Sequence, residues 1–146
     1  MLKVYLDTCC YNRPYDDQTQ MRINLETQAK LYIQELIKEN KLNLVTSYVL
    51  DYENSNSKYY MKMDAIKQFM NTNSKIYVGS KRISEVEKLA SEIQETGIKE
   101  KDSLHIACAI IAECDYFVST DDRLLKYKTD KIKLVTPMDF ITKLEE

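Results

Sequence analysis

The chain has 146 residues, of which 44% are hydrophobic, and a formal net charge of −2. This length and composition predict one domain over residues 1–146 with a sizeable core, and they argue against a second domain. The near-neutral charge excludes a global basic field. Contact with nucleic acid would therefore have to come from local patches or through bound metal.

The cysteines indicate reduced thiols rather than disulfides or a zinc site. Cys9 and Cys10 are adjacent and would pair poorly, and a single histidine excludes the two-cysteine, two-histidine zinc pattern. We find no apolar signal-peptide region near the amino terminus and no apolar run long enough to span a membrane. We therefore expect a cytoplasmic protein without membrane contact.

The first third of the chain predicts a strand, helix, strand unit. A β-rich run over residues 2–8 contains the acid Asp7, and residues 42–47 predict a second strand. Between them, residues 20–39 predict a helix because apolar side chains recur there at helical spacing. These side chains are Leu25, Ala29, Tyr32 and Leu36.

The middle third continues the alternation. The polar patch 54–57 predicts a break before a second helix, and residues 76–78 predict a short strand that ends at Gly79. The apolar stripe of that helix comprises Tyr59, Met63, Ile66 and Met70. Ser84, with Glu87 three residues later, predicts a capping box for the next helix. The stripe of that helix comprises Val86, Leu89, Ala90 and Ile93.

The last third predicts a buried helix and two further strands. Residues 103–112 are apolar nearly all round, which is typical of a buried helix. A strand at 116–119, a short helix around Leu124, a strand at 133–136 and a final apolar helix follow. The whole pattern predicts an α/β fold, a three-layer α/β/α sandwich around a central, mostly parallel sheet of about four to five strands.

Four acidic residues recur where such a fold gathers the ends of strands and helices: Asp7, Glu53, Asp102 and Asp121. In open α/β sheets the ligand site forms outside the carboxyl ends of the strands. Mg²⁺ prefers oxygen ligands and is usually held by carboxylates together with substrate phosphate. The four acids therefore predict a metal site. In the absence of metal, crowding of the carboxylates should raise the pKa of at least one of them.

Four motifs in this order resemble the PIN domain (PilT N-terminus) family across nearly the full length. They are Tyr5-Leu6-Asp7-Thr8, Ser47 to Glu53, Lys101-Asp102-Ser103-Leu104-His105-Ile106-Ala107, and Val118-Ser119-Thr120-Asp121-Asp122. The resemblance implies a single PIN-like domain and a Mg²⁺- or Mn²⁺-dependent endoribonuclease, in a class that includes VapC-type toxins. It also implies an RNA substrate, an antitoxin partner and a homodimer.

Each acid also has a purely structural interpretation. Asp7 can close a turn, Asp102 can favour the positive end of a helix dipole, and Asp121 can cap the short helix after it. Glu53 competes with Asp51, since the two cannot share one helical face. The family pattern places its acid six residues after the serine at position 47, which favours Glu53.

The residues beside the acids predict supporting contacts. We expect the hydroxyls of Thr8 and Thr120 to support the carboxylates, with Asp122 as a secondary acid. The hydroxyl of Ser119 could form a hydrogen bond to a carboxylate, to a phosphate or to the backbone. We expect Arg13 either to bind a substrate phosphate through two parallel hydrogen bonds or to form a surface salt bridge.

His105 and a group of tyrosines complete the candidates. In an apolar helix, His105 is better interpreted as a satisfied structural histidine than as a general base. Aromatic and basic side chains alternate in a stretch that resembles a stacking and phosphate-binding surface for single-stranded RNA. They are Tyr48, Tyr52, Tyr59 and Tyr60 with Lys58 and Lys62. Tyr59 lies on the apolar stripe, so core packing is the prediction for that residue.

Two other enzyme classes fit less well. Phosphohydrolases of the haloacid dehalogenase type usually have a second aspartate two residues after the first, where this chain has Cys9. A phosphorelay receiver needs an acid after a middle strand, where this chain has Gly79. The alternative from a different class is a catalytically silent PIN-like module that binds RNA or protein, because fold alone does not establish activity.

Overall fold

Five strands and eight helices alternate along the chain, and the computed structural model describes residues 1–146 throughout. The strands are β1 (Lys3–Leu6), β2 (Asn43–Ser47), β3 (Ser74–Val78), β4 (Tyr116–Val118) and β5 (Lys133–Val135). The helices are α1 (Thr8–Asn12), α2 (Met21–Lys38), α3 (Tyr48–Ser55), α4 (Tyr60–Asn73), α5 (Ile83–Gln94), α6 (Glu100–Ile111), α7 (Asp122–Leu125) and α8 (Pro137–Leu144). Neighbouring strands all pair in parallel, in the order β3, β2, β1, β4, β5. The structure is the predicted three-layer α/β/α fold.

β1 is the central strand, and the core is built around it. It pairs with β2 on one side and with β4 on the other, and Val4, Tyr5 and Leu6 are fully buried. The ring of Tyr5 stacks on that of Phe117, its register partner in β4, with ring centroids 5.3 Å apart. A strand covered by helices on both faces needs such an unbroken apolar run. The residue that follows β1 is therefore held in a fixed place.

Helices begin directly at the ends of three strands because each strand delivers a capping residue. Asp7 follows β1 and caps α1, Ser47 ends β2 and caps α3, and Thr136 follows β5 and caps α8. Each side chain accepts a backbone N–H from the first turn of its helix, which satisfies a donor that has no partner within the helix. Strand ends and helix starts thus share one edge of the sheet.

α6 is buried along most of its length, as its apolar sequence predicted. Residues His105, Ile106, Ala107, Cys108 and Ala109 are all buried, and α6 packs against α5. Among the helices of the protein, none combines the length and the apolar character needed to cross a membrane.

α1 follows β1 immediately, and Arg13 begins a 3₁₀ turn after it. Two local predictions are wrong. α5 begins at Ile83 straight after another 3₁₀ turn, so Ser84 lies inside the helix and makes no capping box. Tyr59 precedes α4 and is 71% exposed, whereas Ile66 and Met70 supply the buried stripe of that helix.

Candidate active site

The four predicted acids lie at the carboxyl edge of the three central strands. Asp7 follows β1, α3 with Glu53 begins at the end of β2, and Asp121 lies just beyond β4. Asp102 joins them from the first turn of α6. Parallel strands end at the same edge, so residues far apart in sequence are brought into one electrostatic neighbourhood.

Asp7 is the most firmly held of the four. Its side chain is 7% exposed, and its Oδ1 accepts the backbone N–H of Thr8 at 2.8 Å. The hydroxyl of Ser119 donates to Oδ2 of Asp7 at 2.9 Å, and the Cys9 thiol lies 3.4 Å from the same oxygen. A charged acceptor with several donors is fixed in orientation. Asp7 therefore presents its carboxylate in one direction.

Asp102 has the perturbed acidity that crowded carboxylates predict. Burial, followed by the negative charges of Asp7 and Asp121, raises the pKa of Asp102 from 3.8 to about 6. Glu53 adds to the increase. Like charges disfavour ionisation, so the charges of the other three acids oppose that of Asp102.

Glu53 and Asp51 point to different surroundings. Glu53 accepts a hydrogen bond from Nε2 of His105. Burial raises the pKa of Glu53, but the hydrogen bond and charge of His105, together with Lys101, outweigh it and leave this pKa lowered. Asp51 instead accepts a hydrogen bond of 2.7 Å from the Tyr77 hydroxyl of β3. Of the two candidates, Glu53 is the one that turns towards the other acids.

His105 is a satisfied, buried histidine, as predicted, and it also links the core to the acids. It is 1% exposed, and its Nδ1 is hydrogen-bonded to the Tyr5 hydroxyl at 2.6 Å. The same Tyr5 hydroxyl is hydrogen-bonded to the Ser47 hydroxyl at 2.7 Å. Nε2 of His105 lies 3.4 Å from Oγ1 of Thr8 and 3.9 Å from Oδ1 of Asp7. One signal in the sequence marks this position, namely that His105 lies three residues after an acid.

Asp121 caps α7, one of the two roles considered for it. Its Oδ1 accepts the backbone N–H of Arg123 at 2.9 Å. The Ser119 hydroxyl that donates to Asp7 also accepts the backbone N–H of Asp121 at 3.1 Å. Ser119 is therefore the hydroxyl that supports the acids after β4. The expectation that Thr120 does so is corrected, since its contact at the site is a backbone N–H bond to a cysteine sulphur.

Two other candidates are engaged in ion pairs away from the acids. Asp122 is 63% exposed at its side chain and pairs with Arg22 at 2.8 Å, so it does not act as a further acid of the cluster. Arg13 pairs with Glu26 at 2.9 Å and with Asp16 at 2.8 Å. The salt-bridge alternative thus describes Arg13, because its guanidinium is already occupied by carboxylates.

The tyrosine group is largely on the surface, as a stacking platform requires. Tyr52, Tyr59 and Tyr60 are exposed, whereas Tyr48 is partly buried against the core. Exposed aromatic rings next to lysines are typical of surfaces that contact single-stranded nucleic acid.

The donor chemistry of the acids fits a hard divalent cation, since every candidate ligand is a carboxylate oxygen. However, no three histidine, cysteine, aspartate or glutamate side chains are grouped at metal-binding spacing. Glu53 is bonded to His105 and Asp121 caps a helix, while mutual repulsion disfavours closer approach. Metal binding by Asp7, Glu53, Asp102 and Asp121 stays a prediction.

Comparison with known proteins gives structural relatives only. No protein-family model and no curated protein matches the chain. The structure of VapBC2 from Rickettsia felis, bound to a DNA fragment from their promoter, is similar with a TM-score of 0.58 and 16% identity, over 91% of this chain and 97% of that one. FitAcB from Neisseria gonorrhoeae is similar with a TM-score of 0.58 and 13% identity, over 92% of this chain and 98% of that one. Identities this low establish the fold alone, and the chain has the PIN-like fold that its four motifs predicted.

Proposed function

We propose that this protein is a metal-dependent endoribonuclease that hydrolyses RNA phosphodiester bonds. The observation that carries the proposal is the placement of four acids at one edge of the sheet, at the ends of three adjacent strands and the start of a buried helix. Carboxylates clustered in this way are typical of sites that hold Mg²⁺ or Mn²⁺ together with a phosphate.

The chain's own residues have distinct tasks in this proposal. Asp7, Glu53, Asp102 and Asp121 would hold the cation, which would supply an activated water and offset charge on the phosphate. The Ser119 hydroxyl and the N–H of Thr8 orient Asp7. Support of this kind usually changes metal affinity or activity by about 10–100-fold.

The protein is further proposed to be the toxin of a toxin–antitoxin pair. The basis is the resemblance to VapC-type toxins together with the likeness in fold to VapBC2 and FitAcB. An antitoxin would inhibit the site most directly by placing a basic side chain among the acids, where electrostatic complementarity is greatest. Formation of a homodimer and a cytoplasmic location belong to the same proposal.

The test is incubation of the purified protein with mixed single-stranded and structured RNA, in Mg²⁺, in Mn²⁺ and in EDTA. Asp7→Asn keeps the shape of the side chain and removes one charge, so cleavage should fall by about a hundredfold or more. Asp130→Asn removes the same charge at an exposed position and serves as the matched control.

The outcomes separate the two classes of function. Cleavage that needs metal and is lost in Asp7→Asn but not in Asp130→Asn supports the nuclease. RNA binding without cleavage under every condition would refute it and leave the catalytically silent module.

A further inference from the structure

A small cavity adjoins the acidic cluster between α1, α3 and α4. Its volume is about 250 Å³, and its wall includes Thr8 and Glu53, so it shares residues with the candidate active site. Pockets for drug-sized ligands span about 300–1,000 Å³. The cavity is therefore suited to a single ring system rather than to a larger ligand.

Tyr11, in the wall of this cavity, has an unsatisfied hydroxyl. The side chain is 2% exposed, and its hydroxyl is the one buried side-chain nitrogen or oxygen atom in the protein without a hydrogen-bond partner. Leaving a buried polar group unpaired costs about 1–3 kcal/mol. Tyr11 lines this cavity and also a second one beside Lys30 and Phe69, and its hydroxyl is closed to solvent in the free protein. A ligand in the first cavity would satisfy the hydroxyl through a shift of the Tyr11 side chain.

Amide side chains supply further hydrogen-bonding groups in the same wall. Asn12, Asn54 and Asn56 all line the cavity. The Nδ2 atom of Asn54 donates to the carbonyl of Met63 at 2.9 Å, which fixes the orientation of that amide. Each amide carries both a donor and an acceptor. Such groups recognise the edges of an unstacked base.

Aromatic and basic residues border the cavity at the start of α4. Tyr59 is exposed, and Nζ of Lys62 lies 5.9 Å from the centroid of its ring. Lys58 lines the same side. An exposed ring offers a stacking surface for a base, and the ammonium groups offer contacts for the flanking phosphates.

We propose that this cavity is a base-binding subsite that takes one unpaired nucleobase of the RNA, next to the phosphate at the acids. The inference rests on the proposed ribonuclease function and names where sequence preference would arise. The amides of Asn12 and Asn56 would read the edge of the base, and Tyr59 would stack on it. A shift of the Tyr11 side chain on binding would bring its hydroxyl to the same base.

The test uses RNA pentamers in which only the central position carries a base, with a fully abasic pentamer as reference. Affinities are measured by fluorescence anisotropy in Mg²⁺ with the Asp7→Asn variant of the full chain, so that no cleavage is required. At least one base should increase affinity about tenfold over the abasic pentamer, since stacking on an aromatic ring and hydrogen bonds both contribute.

Tyr11→Phe and Asn56→Ala should each reduce this increase by about three- to tenfold. Tyr32→Phe removes a hydroxyl from an exposed tyrosine of α2 and should change nothing. Because the Tyr11 hydroxyl has no partner in the free protein, Tyr11→Phe should also leave the melting temperature unchanged or raise it. A merely structural role for that hydroxyl predicts the opposite change in stability.

Equal affinity for the pentamers with a central base and for the abasic pentamer would overturn the subsite. So would an effect of Tyr11→Phe on affinity that is no larger than that of Tyr32→Phe. The two proposals fail separately. Selective binding of a base without RNA cleavage by the wild-type protein would refute the nuclease and keep the subsite. Metal-dependent cleavage of RNA, with no gain in pentamer affinity from any central base, would refute the subsite and keep the nuclease.

Discussion

Asp102 provides a direct test of the electrostatics of the acidic cluster. Its pKa is raised from 3.8 to about 6, first by burial and then by the charges of Asp7 and Asp121. At neutral pH the folded state therefore holds a carboxylate where its charge is unfavourable. A pKa difference of this size corresponds to about 3 kcal/mol at most. Asp102 is half-buried, and solvent screening reduces the expected value to roughly 1–2 kcal/mol.

The effect has a definite sign. Because the pKa of Asp102 is higher in the folded than in the unfolded state, its favourable contribution is complete below about pH 4 and is lost as the pH rises through about 6. Asp102→Asn keeps the shape of the side chain and removes its charge. We expect its free energy of unfolding to exceed that of wild type by roughly 1–2 kcal/mol at about pH 8, and to match it near pH 4.

The assay is urea unfolding followed by circular dichroism at several pH values in EDTA. Asp130→Asn, at an exposed position, is the control for removal of one negative charge. Added Mg²⁺ should stabilise wild type more than Asp102→Asn, since the metal would relieve the same repulsion. A difference between Asp102→Asn and wild type that stays constant across the pH range, or equals that of the control, would refute the reasoning.

Three further outcomes follow from individual contacts. Glu53→Gln should lower the single-turnover rate of RNA cleavage about a hundredfold, whereas Asp51→Asn should leave that rate within about twofold, because only Glu53 faces the other acids. Equal losses of rate in the two variants would contradict the assignment of Glu53. Glu26→Ala should lower the free energy of unfolding by about 2–4 kcal/mol in urea titrations, because this buried carboxylate pairs with two arginines; a loss below about 1 kcal/mol would count against that role. Ser47→Ala should cost about 1–3 kcal/mol, seen as a lower melting temperature, since it removes the α3 cap and a bond to Tyr5; an unchanged melting temperature would argue against both contacts.

The sheet could be predicted because its central strand has one unambiguous pattern. The run through Val4, Tyr5 and Leu6 is apolar without alternation, and a strand of that kind must be covered on both faces. The acid that follows it could then be placed at the carboxyl edge. By contrast, the start of α5 depends on a preceding 3₁₀ turn, which overrides the capping signal at Ser84.

The choices that stayed open in the site depend on partners distant in sequence. Asp51 is directed away from the acids by Tyr77, and this contact exists only because β3 lies beside β2. Ser119 rather than Thr120 reaches Asp7 because of the way the chain turns after β4. Local spacing carries no information about either contact, so adjacent hydroxyls or acids could not be ranked from the sequence.

The central position of β1 also determines the order in which the protein can be assembled. The hydrogen bond from Ser119 to Asp7 joins residues 112 positions apart. Contacts so distant in sequence close a long loop before they stabilise anything, which slows folding. During synthesis β1 can pair with β2 early, but its other edge stays open until β4 has been made. A growing chain that has not yet reached residues 116–121 therefore lacks the Ser119 hydroxyl that holds Asp7, and its acidic cluster is completed only after those residues have been made.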